Sequence, residues 1–264
     1  MPRRTSDEGG RSMSIVLWAV LPYAMVVVLV GGTIWRYRYD QFGWTTRSSQ
    51  LYESRLLRFA SPLFHFGLLF VVLGHLMGLV VPESFTSALG LSENGYHALA
   101  LTLGGVAGIG TLAGIVLLIV RRRTTGPVFM ATTRNDKAMY VVLVASILAG
   151  LWVTLVFNAI ERASVGGYDY RATVGPWFRS LFYFQPDIGK MTAAPVDYRI
   201  HTLIGMLLLT IFPFTRLVHA FTAPVHYLFR PYLVYRSRDA VGPRGAGAST
   251  ARAWSPVGTR DRNR

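Results

Sequence analysis

Two histidines ten residues apart, His65 and His75, lie in the apolar stretch LFHFGLLFVVLGHLMG. Two more, His201 and His219, lie eighteen apart in RIHTLIGMLLLTIFPFTRLVHAF. An imidazole is expensive to place among hydrocarbon, so in a segment of bilayer length it points to function before packing. Neutral imidazole is a ligand for haem iron, and one histidine from each of two helices fills both axial positions. Four such residues on two segments are candidate ligands for two haem groups. The chain has no cysteine. This excludes disulfides, thiolate-bound zinc, cysteine-ligated iron–sulfur clusters and thioether attachment of haem, so the haems expected here are b-type, held without covalent bonds to the protein.

The elements that must position these residues are long apolar helices. Of the 264 residues, 52% are hydrophobic, and the mean hydropathy of +0.36 places the chain among integral membrane proteins. Five stretches reach the roughly 20 residues of helix that a bilayer requires: Ile15–Trp35, Leu63–Val81, Ala98–Val120, Met139–Ile160 and Ile200–Phe221. Pro213, Arg216 and His219 make the fifth the least regular. The expected fold is an all-α integral membrane protein, five transmembrane helices in a bundle holding two b-type haems. The domain should cover residues 13–235. Residues 1–12 read as an extension ahead of a start at Met13, and residues 236–264, rich in Gly, Ser, Pro and Arg, as a disordered basic cytoplasmic tail.

Orientation follows from basic residues in the loops. The first loop carries Arg36, Arg38, Arg47, Arg55 and Arg58, and the third carries Arg121, Arg122, Arg123, Arg134 and Lys137. The second has Glu83 and Glu93 and no basic residue. The N-terminus is therefore expected outside and the C-terminus in the cytoplasm. The net charge of +14 is spread beside the spans, where arginines set topology and meet lipid headgroups. No soluble segment is long enough for a nucleic-acid-binding face, and none is expected.

Ten residues of helix rise about 15 Å and eighteen about 27 Å. At roughly 100° per residue, His201 and His219 share a face, and His65 and His75 lie about 80° apart on one side. Spans two and five run antiparallel, so His75 and His201 meet near the outer surface and His65 and His219 near the cytoplasm. Crossed pairs would need ligands at opposite depths. Gly67, Gly74, Gly78 and Gly205 flank the histidines and would let a porphyrin approach the backbone. A single membrane histidine can instead bridge helices by a hydrogen bond, but four at matching depths favour ligation.

His97 opens the third span near the depth of His75, while His226 follows Pro224 at the cytoplasmic surface. In VGPWFRSLFYF, the residues Trp177, Phe178, Leu181 and Phe182 form one aromatic face, expected to lie in the outer interface. A histidine proton relay or transporter would want buried acids. Glu83, Glu93, Asp136, Glu161 and Asp197 all sit at span ends.

Several segments together resemble the gamma subunit family of respiratory nitrate reductase. They are WRYRYDQFGWTTRSSQ, LFHFGLLFVVLGHLMG, LTLGGVAGIGTL with LLIVRRR, ATTRND, and RIHTLIGMLLLTIFPFTRLVHAFTAPVHYL. The last is the most specific, pairing an FPFTRLVH ending with two histidines eighteen apart; cytochromes b of formate dehydrogenase or hydrogenase type place their histidines differently. The resemblance implies a multi-pass subunit of a bacterial plasma membrane, with haem ligated by His75 with His201 and by His65 with His219. It implies that menaquinol or ubiquinol is oxidised beside the outer haem. Electrons then pass through the haems to an iron–sulfur beta subunit and on to a molybdenum-containing alpha subunit that reduces nitrate. Relatives place a lysine near the start of the third span. SENGYHALA has none, so Gly74, Tyr96 and His97 are the expected quinol residues, with His97 as proton acceptor because imidazole titrates near neutral pH.

Overall fold

The computed structural model describes residues 3–44, 49, 52–161 and 167–222. His226, the arginines of the tail and the expected disorder after residue 235 lie outside the described residues. Five helices are long and apolar enough to cross a membrane. They are span 1 (Gly9–Tyr39), span 2 (Arg55–Leu79), span 3 (Glu93–Thr124), span 4 (Arg134–Glu161) and span 5 (Val196–Phe214). All five begin before the apolar stretches read from sequence, and spans 1, 3 and 4 also end beyond them, because polar residues at the interface continue a helix that hydrocarbon has already imposed. The helix Arg3–Ile15 leads directly into span 1.

Span 2 lies along span 3 over most of its length. Small residues permit this: a Cβ on Gly114 would meet the backbone of Phe64 at 2.5 Å, and one on Gly67 would meet Thr111 Oγ1 at 2.6 Å. Span 3 packs on span 4, and span 5 on spans 4 and 1. Spans 2 and 5 are not packed against each other. The two histidine-bearing helices thus face one another across a cleft, each supported from behind.

Two irregular helices close the end of the bundle that carries His75 and His201. Span 1 makes a π-helical turn over Val16–Val20, just ahead of Pro22. Pro22 has no N–H for the carbonyl of Trp18 four residues back, and the Trp177 indole Nε1 donates to that carbonyl at 2.9 Å. Trp177 comes from the short helix Val174–Phe182 and meets Trp18 edge to face at 5.9 Å. This corrects the expectation of an aromatic face in the interface. Trp177 is 3% exposed and Phe178 and Leu181 pack on the same core, leaving only Phe182 of the four exposed. The apolar face turns inward onto the core formed with Trp18, Val153, Phe157 and Met206, and the indole caps the carbonyl that Pro22 leaves without a backbone donor.

In span 4 the last ten residues, Trp152–Glu161, are π-helical. Asn158 donates to the Val153 carbonyl and to the Tyr198 hydroxyl, both at 2.7 Å, and accepts from the Tyr168 amide at 2.8 Å. One buried amide thereby ties span 4 to span 5 and to the loop between them.

Span 5 is not one continuous helix. Its α-helix ends at Ile211, a 3-10 turn covers Phe212–Phe214, and Thr215 is extended (φ −113°, ψ 180°). A second 3-10 stretch, Arg216–Thr222, carries His219. Pro213 is the cause, since it can neither donate nor sit inside the helix without a clash. The five-turn, single-face relation between His201 and His219 therefore does not hold.

Candidate functional site: two facing histidine pairs

The structure brings His75 beside His201, with ring centres 5.9 Å apart, and His65 beside His219, 6.1 Å apart. The ring planes cross at 47° and 75° respectively. One pair lies at each end of the cleft.

In three of the four rings, Nδ1 is engaged with a carbonyl close behind it in the chain. His65 Nδ1 contacts the Ser61 carbonyl at 2.8 Å, His75 the Val71 carbonyl at 2.7 Å, and His219 the Arg216 carbonyl at 2.5 Å. A carbonyl accepts only, so these contacts place the proton on Nδ1 and leave the Nε2 lone pair free, the arrangement of a metal-ligating histidine. His201 differs. Its Nδ1 is buried with no hydrogen-bond partner, and its ring is held by packing, since a Cβ on Gly150 would meet its Cε1 at 3.1 Å.

A transition-metal ion takes imidazole nitrogen at about 2 Å, so two imidazoles on opposite sides of one ion stand with ring centres about 6 Å apart. Both pairs have that spacing. Among the described residues no group of three or more His, Asp or Glu side chains could hold a metal. Each pair could supply two ligands to an ion, whose other donors would then have to come from a ligand that brings its own. Beside Gly74 and Gly205 there is open space, with no atom within 4 Å of a Cβ built there. Gly67 and Gly78 are used otherwise: Gly67 faces span 3 and Gly78 is covered by the Tyr170 ring.

At the His75 end, Tyr96 and His97 line a polar cavity of about 130 Å³ together with Glu93, Asp169, Tyr170 and Arg171. The Tyr96 and Tyr170 hydroxyls are 3.0 Å apart. The Arg171 guanidinium lies 3.7 Å from the Tyr96 ring centre and donates to Thr86 Oγ1 at 2.9 Å. Burial, with the Tyr96 hydroxyl beside it, pushes the Tyr170 phenol far above its ordinary range, so it stays a neutral donor. The His97 ring rests on Gly167, whose φ of +88° and lack of a side chain both admit it. Gly74 is not part of this cavity; the structure brings Tyr96 and His97 together without it.

At the other end, four arginines turn inward and hold the chain, while Arg38, Arg55, Arg58, Arg123, Arg134 and Lys137 are exposed. Arg121 is buried and donates to Glu53 Oε2 and the Glu53 carbonyl, both at 2.6 Å, and to Ser49 Oγ at 2.8 Å. Arg122 donates to the Tyr140 hydroxyl at 2.7 Å. Around His219, Arg36 Nη1 donates to the carbonyls of Pro213 and Thr215 at 2.8 and 2.7 Å. Arg216 forms a two-pronged ion pair with Asp136 at 2.8 and 2.9 Å, and Asn135 donates to the Phe214 carbonyl at 2.7 Å. Sequence reasoning missed Gly150, Tyr170 and Arg171, and read Arg36 and Asp136 only as loop charge and span-end acid. The available signal was a charge beside an aromatic at a span end in WRYRYD and VGGYDYRA.

The sequence profile of the nitrate reductase gamma subunit family matches residues 14–238, which include all five apolar segments and all four facing histidines. The chain belongs to this family. It is 42% identical over 224 residues to the nitrate reductase gamma chain of Bacillus subtilis, covering 85% of this chain and 98% of that one. It is 33% identical over 227 residues to the respiratory nitrate reductase 2 gamma chain of Escherichia coli, covering 86% and 98%. It is also 60% identical over 231 residues, 87% of its length, to the nitrate reductase-like protein NarX of Mycobacterium tuberculosis, and spans 35% of that longer protein. The gamma subunit family accounts for a helical membrane protein with five spans.

Proposed function

We propose that this chain is the haem-bearing, quinol-oxidising membrane subunit of a nitrate reductase. In this reading His75 with His201, and His65 with His219, would each hold one b haem. The observation that supports it best is the facing of the histidines: spans 2 and 5 are not closely packed along their backbones, yet their imidazoles, with that of His219 just beyond span 5, face in pairs at 5.9 and 6.1 Å, with no third protein ligand at either centre among the described residues. A macrocycle that supplies four donors in a plane fits that demand. Bound haem would supply a one-electron couple at each centre.

The residues of this chain hold, orient and accept protons. Nδ1 contacts on three rings keep Nε2 free and the rings fixed. With the His75 end outside and the His65 end toward the cytoplasm, as the loop charges favour, quinol oxidised near Tyr96 and His97 would discharge two protons outside. His97 Nε2 is the acceptor proposed for a quinol hydroxyl proton, and the Tyr170 and Tyr96 hydroxyls orient the head group. Electrons would be delivered to a cytoplasmic iron–sulfur partner, and nitrate reduced on a molybdenum-containing one.

A reduced-minus-oxidised absorption spectrum of the purified subunit tests the reading. Two b-type haems per chain are expected. His75→Ala and His201→Ala should each lose one haem, and the double variant should lose no more. A chain that purifies folded without haem absorbance overturns it.

A further inference from the structure

Three of the four facing histidines sit on regular α-helix, and His219 does not. His65 and His75 in span 2 turn Nδ1 to a carbonyl four residues back, as α-helix geometry allows. His219 lies on a seven-residue 3-10 stretch beyond the break at Thr215, and its Nδ1 meets a carbonyl three residues back, that of Arg216. Such stretches rarely run beyond three or four residues without help. Here side chains from two other spans provide it.

Arg36 of span 1, only 9% exposed, donates to the carbonyls of Pro213 and Thr215 on either side of the break, and also to the Gly43 carbonyl at 2.9 Å. Gly32 lets the break lie against span 1, since a Cβ there would meet Pro213 Cγ at 2.9 Å. From span 4, Asp136 is fixed by a capping box with Thr133 and grips Arg216 with both carboxylate oxygens. Arg216 is the residue whose own carbonyl holds His219 Nδ1. The sequence of contacts therefore runs Asp136, Arg216, His219.

We propose that Arg36, Asp136 and Arg216 are positioning residues that set the plane and basicity of His219, and through it the properties of the centre it forms with His65. The inference rests on the haem reading above. Supporting groups behind a ligating histidine raise its basicity and fix its orientation, so loosening them should raise the midpoint potential of that haem.

The test uses the full chain in membranes with its complex assembled, comparing wild type with Arg216→Gln and Arg36→Lys. Arg216→Gln removes a positive charge, which by its field alone would lower the potential, whereas lost positioning raises it. Arg36→Lys keeps the charge and loses the two-carbonyl fork. Redox titration should show the potential of one haem rising by at least the 59 mV that a tenfold change in a one-electron equilibrium represents, with the His75–His201 haem unmoved. The electron paramagnetic resonance signal of the same haem should change its anisotropy, because that anisotropy reports the angle between the two imidazole planes, 75° here. A fall or no change in potential with an unaltered signal overturns the proposal, as do equal shifts at both haems. If neither variant enters the membrane, the three residues serve folding and the proposal fails. Absence of haem in the wild type would instead sink the reading on which it rests.

Discussion

At the scale of single residues, the histidines are placed by what lies behind each ring. His201 has no hydrogen-bond partner on Nδ1 among the described residues, and its ring lies over Gly150, where a side chain would meet it. Gly150→Val should displace that ring and cost one haem of the two, while Gly150→Ala, which asks the ring to move a few tenths of an ångström, should cost far less. Gly74 is the converse case. A Cβ there meets nothing in the chain, so Gly74→Ala should leave the melting temperature of haem-free protein unchanged. Reduced haem occupancy in the same variant would mark the open space as the macrocycle's. Pyridine haemochrome content per chain measures both. The four histidines were legible because an imidazole in hydrocarbon is costly wherever the helix goes. Gly150 was not, because a glycine in LAGLW carries no mark of the ring it will meet.

At the scale of elements, the irregular helices do the joining. Asn158 satisfies its amide with partners from three segments. Asn158→Ala should strand the Tyr168 amide and the Tyr198 hydroxyl and destabilise the chain by about 1–3 kcal/mol in a detergent melt. Trp177→Ala removes the donor to the Trp18 carbonyl and the ring packed on Trp18, and should cost about 3–5 kcal/mol. The loop joining spans 1 and 2 is tied down by Glu53 and Arg121. The Leu56 amide first, and the Arg121 guanidinium beside it, hold the Glu53 carboxyl below its ordinary value of 4.5. A lowered carboxyl favours the folded loop at pH above that ordinary value, and the contribution disappears as pH falls through the lowered one. Protection of the Leu56 amide from hydrogen exchange, corrected for intrinsic rate, should therefore fall as pH drops through the lowered carboxyl value, and lose that pH dependence in Glu53→Gln. Loop arginines are visible in sequence as topology signals. That Arg121 turns inward, and is thereby withdrawn from any docking surface, depends on Glu53 arriving from 68 residues away.

At the scale of the whole molecule, the cleft between spans 2 and 5 is the feature on which the proposed function rests. Each of these helices is backed by neighbours, yet neither covers the other. A group bridging them would add its binding free energy to stability by mass action, about 4 kcal/mol at a thousandfold excess over Kd. Chain produced in a haem-deprived host should melt lower than the loaded protein, and recover on reconstitution. His65→Ala and His219→Ala should each abolish part of that recovery. A melting temperature indifferent to haem would remove the cleft as its site.

Sequence alone determined the class of fold, because five apolar segments in a chain without cysteine have few ways to satisfy their backbone except as membrane helices. It also determined which histidines meet, because antiparallel spans leave one pairing by depth. Tertiary structure decided the rest. It ended the fifth α-helix at Ile211 and carried His219 on a 3-10 stretch. It turned Trp177 inward and placed Tyr170 and Arg171 over Tyr96. The reason is common to all of these. Depth in a membrane follows from local apolarity, whereas the partner of a freed carbonyl or a buried guanidinium comes from another part of the chain. Only the packed bundle brings the two together.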